Sequence, residues 1–356
     1  MSETVLVAMS GGVDSSLAAA LLVERGYRVI GATMKTFCYA ETPAHGRTCC
    51  GLDGIMDARR VCERLGVPHY VFDMEDSFGA AVMDDFVNEY EAGRTPNPCV
   101  RCNSNTKIPD LLRRGRMLGA DRIATGHYAR MAAGNGTPSI ALSSDAAKDQ
   151  TYFLWGIPRE VLPYLMFPVG DLTKPEVREQ ARTLELATAD KPESQEICFV
   201  PTGDYTDFLA DRLGRAHPAL SEGELVTRDG AVVGRHDGYG RYTVGQRKGL
   251  GGGHGRRLYV LGVVPAENRV VVGTEDELYR DDVVLGDVNW LTEAPAEGAT
   301  VRVRLRHRAP LVDATVEEAG REALRLRLAT PQRAVTPGQS GAVYDGDILL
   351  GGGRIR

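Results

Sequence analysis

The sequence lacks any apolar run approaching the ~18 residues of a membrane-spanning helix. Its opening, MSETVLVAMSGG, has neither a basic segment nor a long apolar stretch of the secretory type. Both absences predict a chain that works in the cytoplasm and away from membranes. Lysine is scarce: six of the 42 basic residues are Lys, and only Lys248 lies beyond residue 205. An excess of positive charge is missing as well. The net charge of −6 belongs to residues 1–205, and residues 206–356 balance to zero. Nucleic-acid binding must therefore rest on local clusters. No internal repeat or low-complexity tract is present, and the 41 Gly and 18 Pro are near ordinary usage. The seven cysteines, an odd number without a secretory signal, predict reduced thiols with chemistry rather than a disulfide framework.

At ~150 residues per domain, 356 residues suggest two or three domains. Val5–Met9 is a short apolar run, Ser15–Arg25 reads as a buried helix closed by Gly26, and Arg28–Met34 is a second strand. Asp57–Leu65 sets Ala58, Val61, Cys62 and Leu65 on one helical face, with Gly66 as the stop. A strand at His69–Phe72 precedes a helix over Ser77–Glu91, which aligns Phe78, Val82 and Phe86. A helix near Pro109–Leu118 leads to the strand Arg122–Thr125. This alternation predicts an α/β unit over 1–205, a parallel sheet with helices on both faces. Beyond it, short runs such as Leu258–Val264, Arg269–Val272, Val301–Arg308 and Leu324–Leu328 are separated by Asp-Gly and Pro turns. They predict mostly antiparallel β structure: a small middle domain, 206–275, and a C-terminal barrel, 276–356.

The strongest chemical signal is Ser10-Gly11-Gly12-Val13-Asp14-Ser15-Ser16, between the first strand and the first helix. Two glycines allow a tight turn of successive N–H groups. The helix N-terminus adds dipole and unpaired donors, and the serines add hydroxyls. The alternative is a plain strand–helix turn with a capping serine. The Gly-Lys-Ser/Thr of a P-loop is absent, so γ-phosphoryl transfer is not indicated.

Cys99 and Cys102 form a C-x-x-C in a loop stiffened by Pro96 and Pro98, ahead of a helix whose N-terminus, with Arg101, favours thiolate. Cys198 follows the polar stretch Lys191–Glu196. Cys102 and Cys198 could equally be small buried residues or half of a zinc site, although no second C-x-x-C or H-x-x-x-H supplies further ligands. Cys62 belongs to a helical core face, and Cys38, Cys49 and Cys50 form a loose cluster read as loop residues. In Val301–Arg308, Arg302, Arg304, Arg306 and Arg308 alternate on one strand face. They either track a phosphate backbone or protect a solvated edge.

The heptapeptide resembles the pyrophosphate loop of ATP pyrophosphatases. Six further blocks extend the likeness: GRTPNPCVRCN (93–103), ATGHY (124–128), KDQTYFL (148–154), ESQEICF (193–199), YTVGQRKGL (242–250) and TPGQS (336–340). In this order, across nearly the whole chain, they resemble the bacterial tRNA-specific 2-thiouridylases. That resemblance implies ATP-dependent 2-thiolation of a wobble uridine in tRNA, with magnesium offsetting phosphate charge. Ala8, Met9, Ser10, Gly11, Gly12, Val13, Asp14 and Ser15 would cradle ATP, with Met34 and Gly126 near the adenosine. Asn97, Pro98 and Cys99 would meet the flipped-out base. His127, Lys148, Asp149, Gln150, Arg306, His307 and Gln339 would contact tRNA.

Cys198 would carry a persulfide from a sulfur-relay protein or cysteine desulfurase. Cys102 would be the second thiol, pairing transiently with Cys198 in a disulfide or attacking the activated base. Cys99 departs from the pattern, since many relatives have Asp there. It creates a three-thiolate set, Cys99, Cys102 and Cys198, that could instead hold a [4Fe-4S] cluster with one open iron. A ligase of the same superfamily acting on a small carbonyl leaves these thiols unused, and a non-catalytic iron–sulfur tRNA-binding protein leaves the phosphate loop without purpose.

Overall fold

The computed structural model describes residues 2–36, 52–134, 137–193, 197–200, 204–250, 257–320 and 322–356. The cysteines at 38, 49 and 50 lie outside these ranges. Among the described residues no helix is long and apolar enough to cross a membrane.

Five parallel strands form the first sheet. They are β1 (Thr4–Ala8), β2 (Arg28–Lys35), β3 (His69–Asp73), β4 (Arg122–Ala124) and β7 (Leu165–Met166), in the order β3-β2-β1-β4-β7. β1 is buried along its whole length, and its alternation feeds two cores. Val5 and Val7 join Leu17, Ala18, Val61 and Cys62 from helices α1 (Val13–Glu24) and α2 (Leu52–Leu65). Leu6 and Ala8 face the other way, towards Ile108, Leu111 and Leu112, which come from the helical stretch ending in α6 (Ile108–Met117). Helices thus cover both faces, as the alternation predicts. Chain order reverses beside β1, so the loop after β1 opens at the switch point where α/β sheets bind ligands.

Between β3 and β4 the chain also forms α3 (Glu75–Phe78), α4 (Asp84–Glu91) and α5 (Pro98–Arg101). Wider π-helical turns lie at Gly79–Met83 and Cys102–Lys107. Phe78, Val82 and Phe86 build one apolar cluster, as their spacing predicts. Leu209 of α8 (Tyr205–Leu213) completes it after the intervening α7 (Lys174–Thr183).

Two sheets follow, after a hairpin that the sequence reading did not anticipate. The hairpin, β5 (Arg130–Gly134) and β6 (Thr137–Ala141), leaves the first unit. It adds to the last strand of the chain through Ile348↔Ala141 and Leu349↔Ile140. The middle sheet holds β8 (Gly223–Val226), β9 (Val232–His236), β10 (Tyr259–Val264) and β11 (Arg269–Gly273), in the order β10-β11-β8-β9. Its β8–β11 contact is parallel and the others are antiparallel.

The last sheet runs β12 (Tyr279–Trp290), β15 (Ala323–Arg333), β14 (Val312–Ala319), β13 (Thr300–Arg304), β16 (Ser340–Asp345), β17 (Ile348–Ile355). A β12–β17 pairing closes it into a six-stranded antiparallel barrel. Leu324, Leu326 and Leu328 point inward and alternate with exposed Arg325 and Arg327.

Candidate functional site

Gly11 has φ +69°, and a Cβ there would collide with the Gly54 carbonyl of α2, so glycine alone fits. Gly12 caps α1 with extended backbone and no side-chain cap, leaving first-turn N–H groups without a capping side chain. The Ser15 hydroxyl lies 3.1 Å from the Ser10 hydroxyl and donates to the Gly12 carbonyl, and Ser16 donates to the same carbonyl at 2.8 Å. Gly126 abuts this turn from the end of β4: a Cβ would lie 2.6 Å from the Ser15 nitrogen. Met34, at the end of β2, is buried in the core that Ala8 shares. The structure thus gathers Ala8–Ser15 and Gly126 at one mouth.

Charged side chains surround that mouth; Asp14 and Lys148 were expected at the site, while Lys174, Lys191, Glu193 and Asp57 were missed by the sequence reading. Asp14 receives the Tyr128 hydroxyl at 2.8 Å and the Lys174 ammonium at 2.7 and 2.8 Å. Lys174 also lies 3.1 Å from Glu193, which pairs with Lys148 at 2.8 Å. Lys148 and Lys174 together hold the Glu193 carboxyl well below the usual range, at about 2. Lys191 donates to the Gly11 carbonyl at 2.9 Å and pairs with Asp57 of α2. One local signal was available, because Thr173-Lys174-Pro175-Glu176 is a capping box with proline in the first turn. It announces α7 and hence the position of Lys174.

The second part of the site is the segment Arg94–Cys102. Asn97 caps α5, its Oδ1 accepting the Val100 N–H at 3.4 Å, and Pro98 follows in the first turn. The barrel holds this segment. Gln339 donates to the Thr95 and Pro96 carbonyls at 2.9 and 3.1 Å, and the Thr95 N–H donates to the Pro337 carbonyl at 2.9 Å. From the middle domain, Thr243 meets the Thr95 hydroxyl at 3.0 Å. The two blocks TPGQS and GRTPNPC are therefore partners across domains. Arg101 turns its guanidinium to Asp85 and Asp287, at 3.2 and 3.1 Å, and Arg354 reinforces the tie by pairing with Asp85 at 2.7 Å.

Cys99 is exposed, and Cys102 and Cys198 are half-buried. The last two pack against the same cluster, formed by Phe78, Val82, Phe86 and Phe199. Among the described residues, no three of His, Cys, Asp and Glu are placed to hold a metal. The expected alternative of a cluster on Cys99, Cys102 and Cys198 is therefore not shown by this arrangement, in which Cys102 and Cys198 pack on one apolar cluster and Cys99 is exposed.

The tRNA-contact candidates separate. β13 ends at Arg304, and the chain turns through Leu305–Arg308, where Arg308 has φ +64°. The four arginines expected on one strand face therefore diverge. Arg302 bonds the Gly346 carbonyl, Arg304 is drawn inward, and Arg306 and Arg308 are exposed, with Arg306 touching the Thr336 hydroxyl at 3.0 Å. Alternation showed the first two positions and could not show where pairing stops. Asp149 is interior. Its carboxylate accepts from Ser143 N, the Thr151 hydroxyl and Arg304, at 2.8, 2.6 and 2.6 Å. Gln150 accepts the Tyr128 N–H at 2.9 Å. His127 bonds the Thr125 hydroxyl at 2.7 Å; burial, then Lys107, pushes its pKa down to about 3, so the ring is neutral. His307 lies with its centroid 4.5 Å from the Phe153 ring, and burial lowers its pKa too.

The comparisons with known proteins cover the chain in three consecutive pieces. Residues 3–202 match the tRNA methyl transferase HUP domain, 206–274 the tRNA methyl transferase PRC-barrel domain, and 280–355 the aminomethyltransferase β-barrel domain. The tRNA-specific 2-thiouridylase MnmA of Geobacter metallireducens is 48% identical, over 99% of this chain and 96% of that protein. Its counterparts in Rhodospirillum centenum and Acidithiobacillus ferrooxidans are also 48% identical over 99% of this chain, covering 91% and 97% of those proteins. Among solved structures, a 4-thiouridine synthetase–RNA complex with bound ATP is a loose likeness, with 14% identity and a TM-score of 0.36 over 60% of this chain and 51% of that one. With near-complete coverage on both sides, the chain belongs to the tRNA-specific 2-thiouridylase family.

Proposed function

We propose that this enzyme uses ATP to replace the C2 oxygen of the wobble uridine of tRNA with sulfur. One observation carries the reading: a glycine-rich phosphate turn and a pair of thiols on one apolar cluster occur in a chain 48% identical to tRNA-specific 2-thiouridylases. ATP lies along Ala8–Ser15 with Met34 and Gly126 near the adenosine. Magnesium carried on the phosphates would supply charge neutralisation, since Lys174 already occupies both Asp14 oxygens. Asn97, Pro98 and Cys99 receive the extruded base, and Lys148, Arg306, His307 and Gln339 line the approach.

The uridine C2 oxygen attacks the α-phosphorus, and pyrophosphate leaves. The terminal sulfur of a persulfide on Cys198 then attacks C2 and displaces AMP, leaving C2 linked to Cys198 through a disulfide. Cys102 thiolate attacks the Cys198 sulfur, which frees the thiocarbonyl and forms the Cys102–Cys198 disulfide. A sulfur-relay protein or cysteine desulfurase renews the persulfide, after an external dithiol has reduced the disulfide.

Pyrophosphate release measured with and without tRNA tests this reading. Release should depend on tRNA and fall at least about a hundredfold in Asp14→Ala, with tRNA affinity within a few-fold of wild type. Release that ignores tRNA would overturn the assignment. Arg306→Ala should flatten the salt dependence of tRNA binding by about one unit of slope and leave ATP binding unchanged. An unaltered slope would remove Arg306 from the RNA surface.

A further inference from the structure

Of only six lysines in the chain, Lys174 and Lys191 contact the phosphate turn directly, and Lys148 joins them through Glu193. Lys174 is the most enclosed, its side chain 9% exposed. Its ammonium meets both Asp14 oxygens, reaches Glu193 at 3.1 Å and lies 5.6 Å from the Tyr128 ring centroid. A compact ammonium suits this set of point contacts, whereas a planar guanidinium fork matches a single carboxylate edge.

We propose that Lys174 binds the β- and γ-phosphates of ATP and the departing pyrophosphate, with Glu193 as the counter-ion that holds its ammonium until the polyanion arrives. This rests on the ATP reading of the turn. Asp14 is the second residue of α1, so its carboxylate stands in the same first turn whose N–H groups face an anion. Uncompensated, it would repel a triphosphate; a buried cation in contact with it offsets that repulsion. Lys174 can act from a fixed base. Its backbone N–H donates to Asp145 at 2.9 Å, and the Thr173–Glu176 capping box closes the helix that it begins. Lys191 works differently. It holds the Gly11 carbonyl and Asp57, and so shapes the turn as a positioning residue.

The test is equilibrium binding of ATP, inorganic pyrophosphate and adenosine to the full chain. Lys174→Met should weaken ATP and pyrophosphate about ten- to a hundredfold, the range of a lost charge-assisted contact, and leave adenosine within about twofold. Glu193→Gln should tighten ATP several-fold, and that gain should vanish in the Lys174→Met background. Unchanged ATP binding in Lys174→Met, equal loss of ATP and adenosine, or a Glu193→Gln effect that persists without Lys174 would each overturn the proposal. If Lys174→Met does not fold, Glu193→Gln decides alone: unchanged or weakened ATP binding overturns the proposal. Wild-type protein that binds ATP through Lys174 yet releases no pyrophosphate with tRNA would overturn only the thiolation reading.

Discussion

Cys198→Ser and Cys102→Ser are each expected to abolish thiolation, by at least about a thousandfold, because each removes a sulfur that must form and break a bond. Cys99→Ser should keep measurable activity. The two half-buried thiols both pack on the Phe78–Phe86–Phe199 cluster, while Cys99 is exposed and is not among the residues packed on it. Under a cluster mechanism all three thiolates would be ligands, and any single loss would release iron and stop turnover. The measurement is single-turnover thiolation by anaerobically purified variants, with iron determined on the same samples. Activity of iron-free Cys99→Ser supports the persulfide route. A folded Cys99→Ser that is inactive and stripped of iron that the wild type holds would sink it.

Cys99→Asp is the complementary variant, because it sets a carboxylate in place of the exposed thiol. A carboxylate beside Asn97 and Pro98 would stand where the proposed function seats the target base. Activity above wild type there would assign position 99 to proton transfer.

The parts of this molecule that repeat locally were legible in the sequence. Phe78, Val82 and Phe86 share a face because helical period alone places them so, and β15 alternates Leu and Arg because one barrel face is wet. The tight glycine turn after β1 was legible for a similar reason, since only glycine fits Gly11. What escaped was non-local. The hairpin β5–β6 pairs with β17 more than 200 residues away, and no local pattern announces such a partner. The end of β13 escaped as well, because Arg302–Arg308 keeps alternating after the ladder has stopped at Arg304. The ion pairs around Asp14 join residues from 14 to 193, and spacing cannot reveal them.

Asp149→Ala is expected to destabilise the fold by about 3–5 kcal/mol, the cost of stranding a buried partner charge. Asp149 and Arg304 have side chains 3% and 11% exposed, and their contact ties the segment after β6 to the barrel strand β13. The same carboxylate also orders Ser143 and Thr151, and Thr151 in turn meets the buried Tyr344 hydroxyl at 3.0 Å. Denaturant unfolding of Asp149→Ala and Arg304→Met should show large losses. The double variant should lose clearly less than their sum, because it leaves no uncompensated charge inside. At a temperature where the variants remain folded, tRNA affinity should stay within a few-fold of wild type, since this carboxylate has no free edge for RNA. Unchanged stability with sharply weaker tRNA binding would instead place Asp149 on the RNA surface and require the segment after β6 to open when tRNA docks.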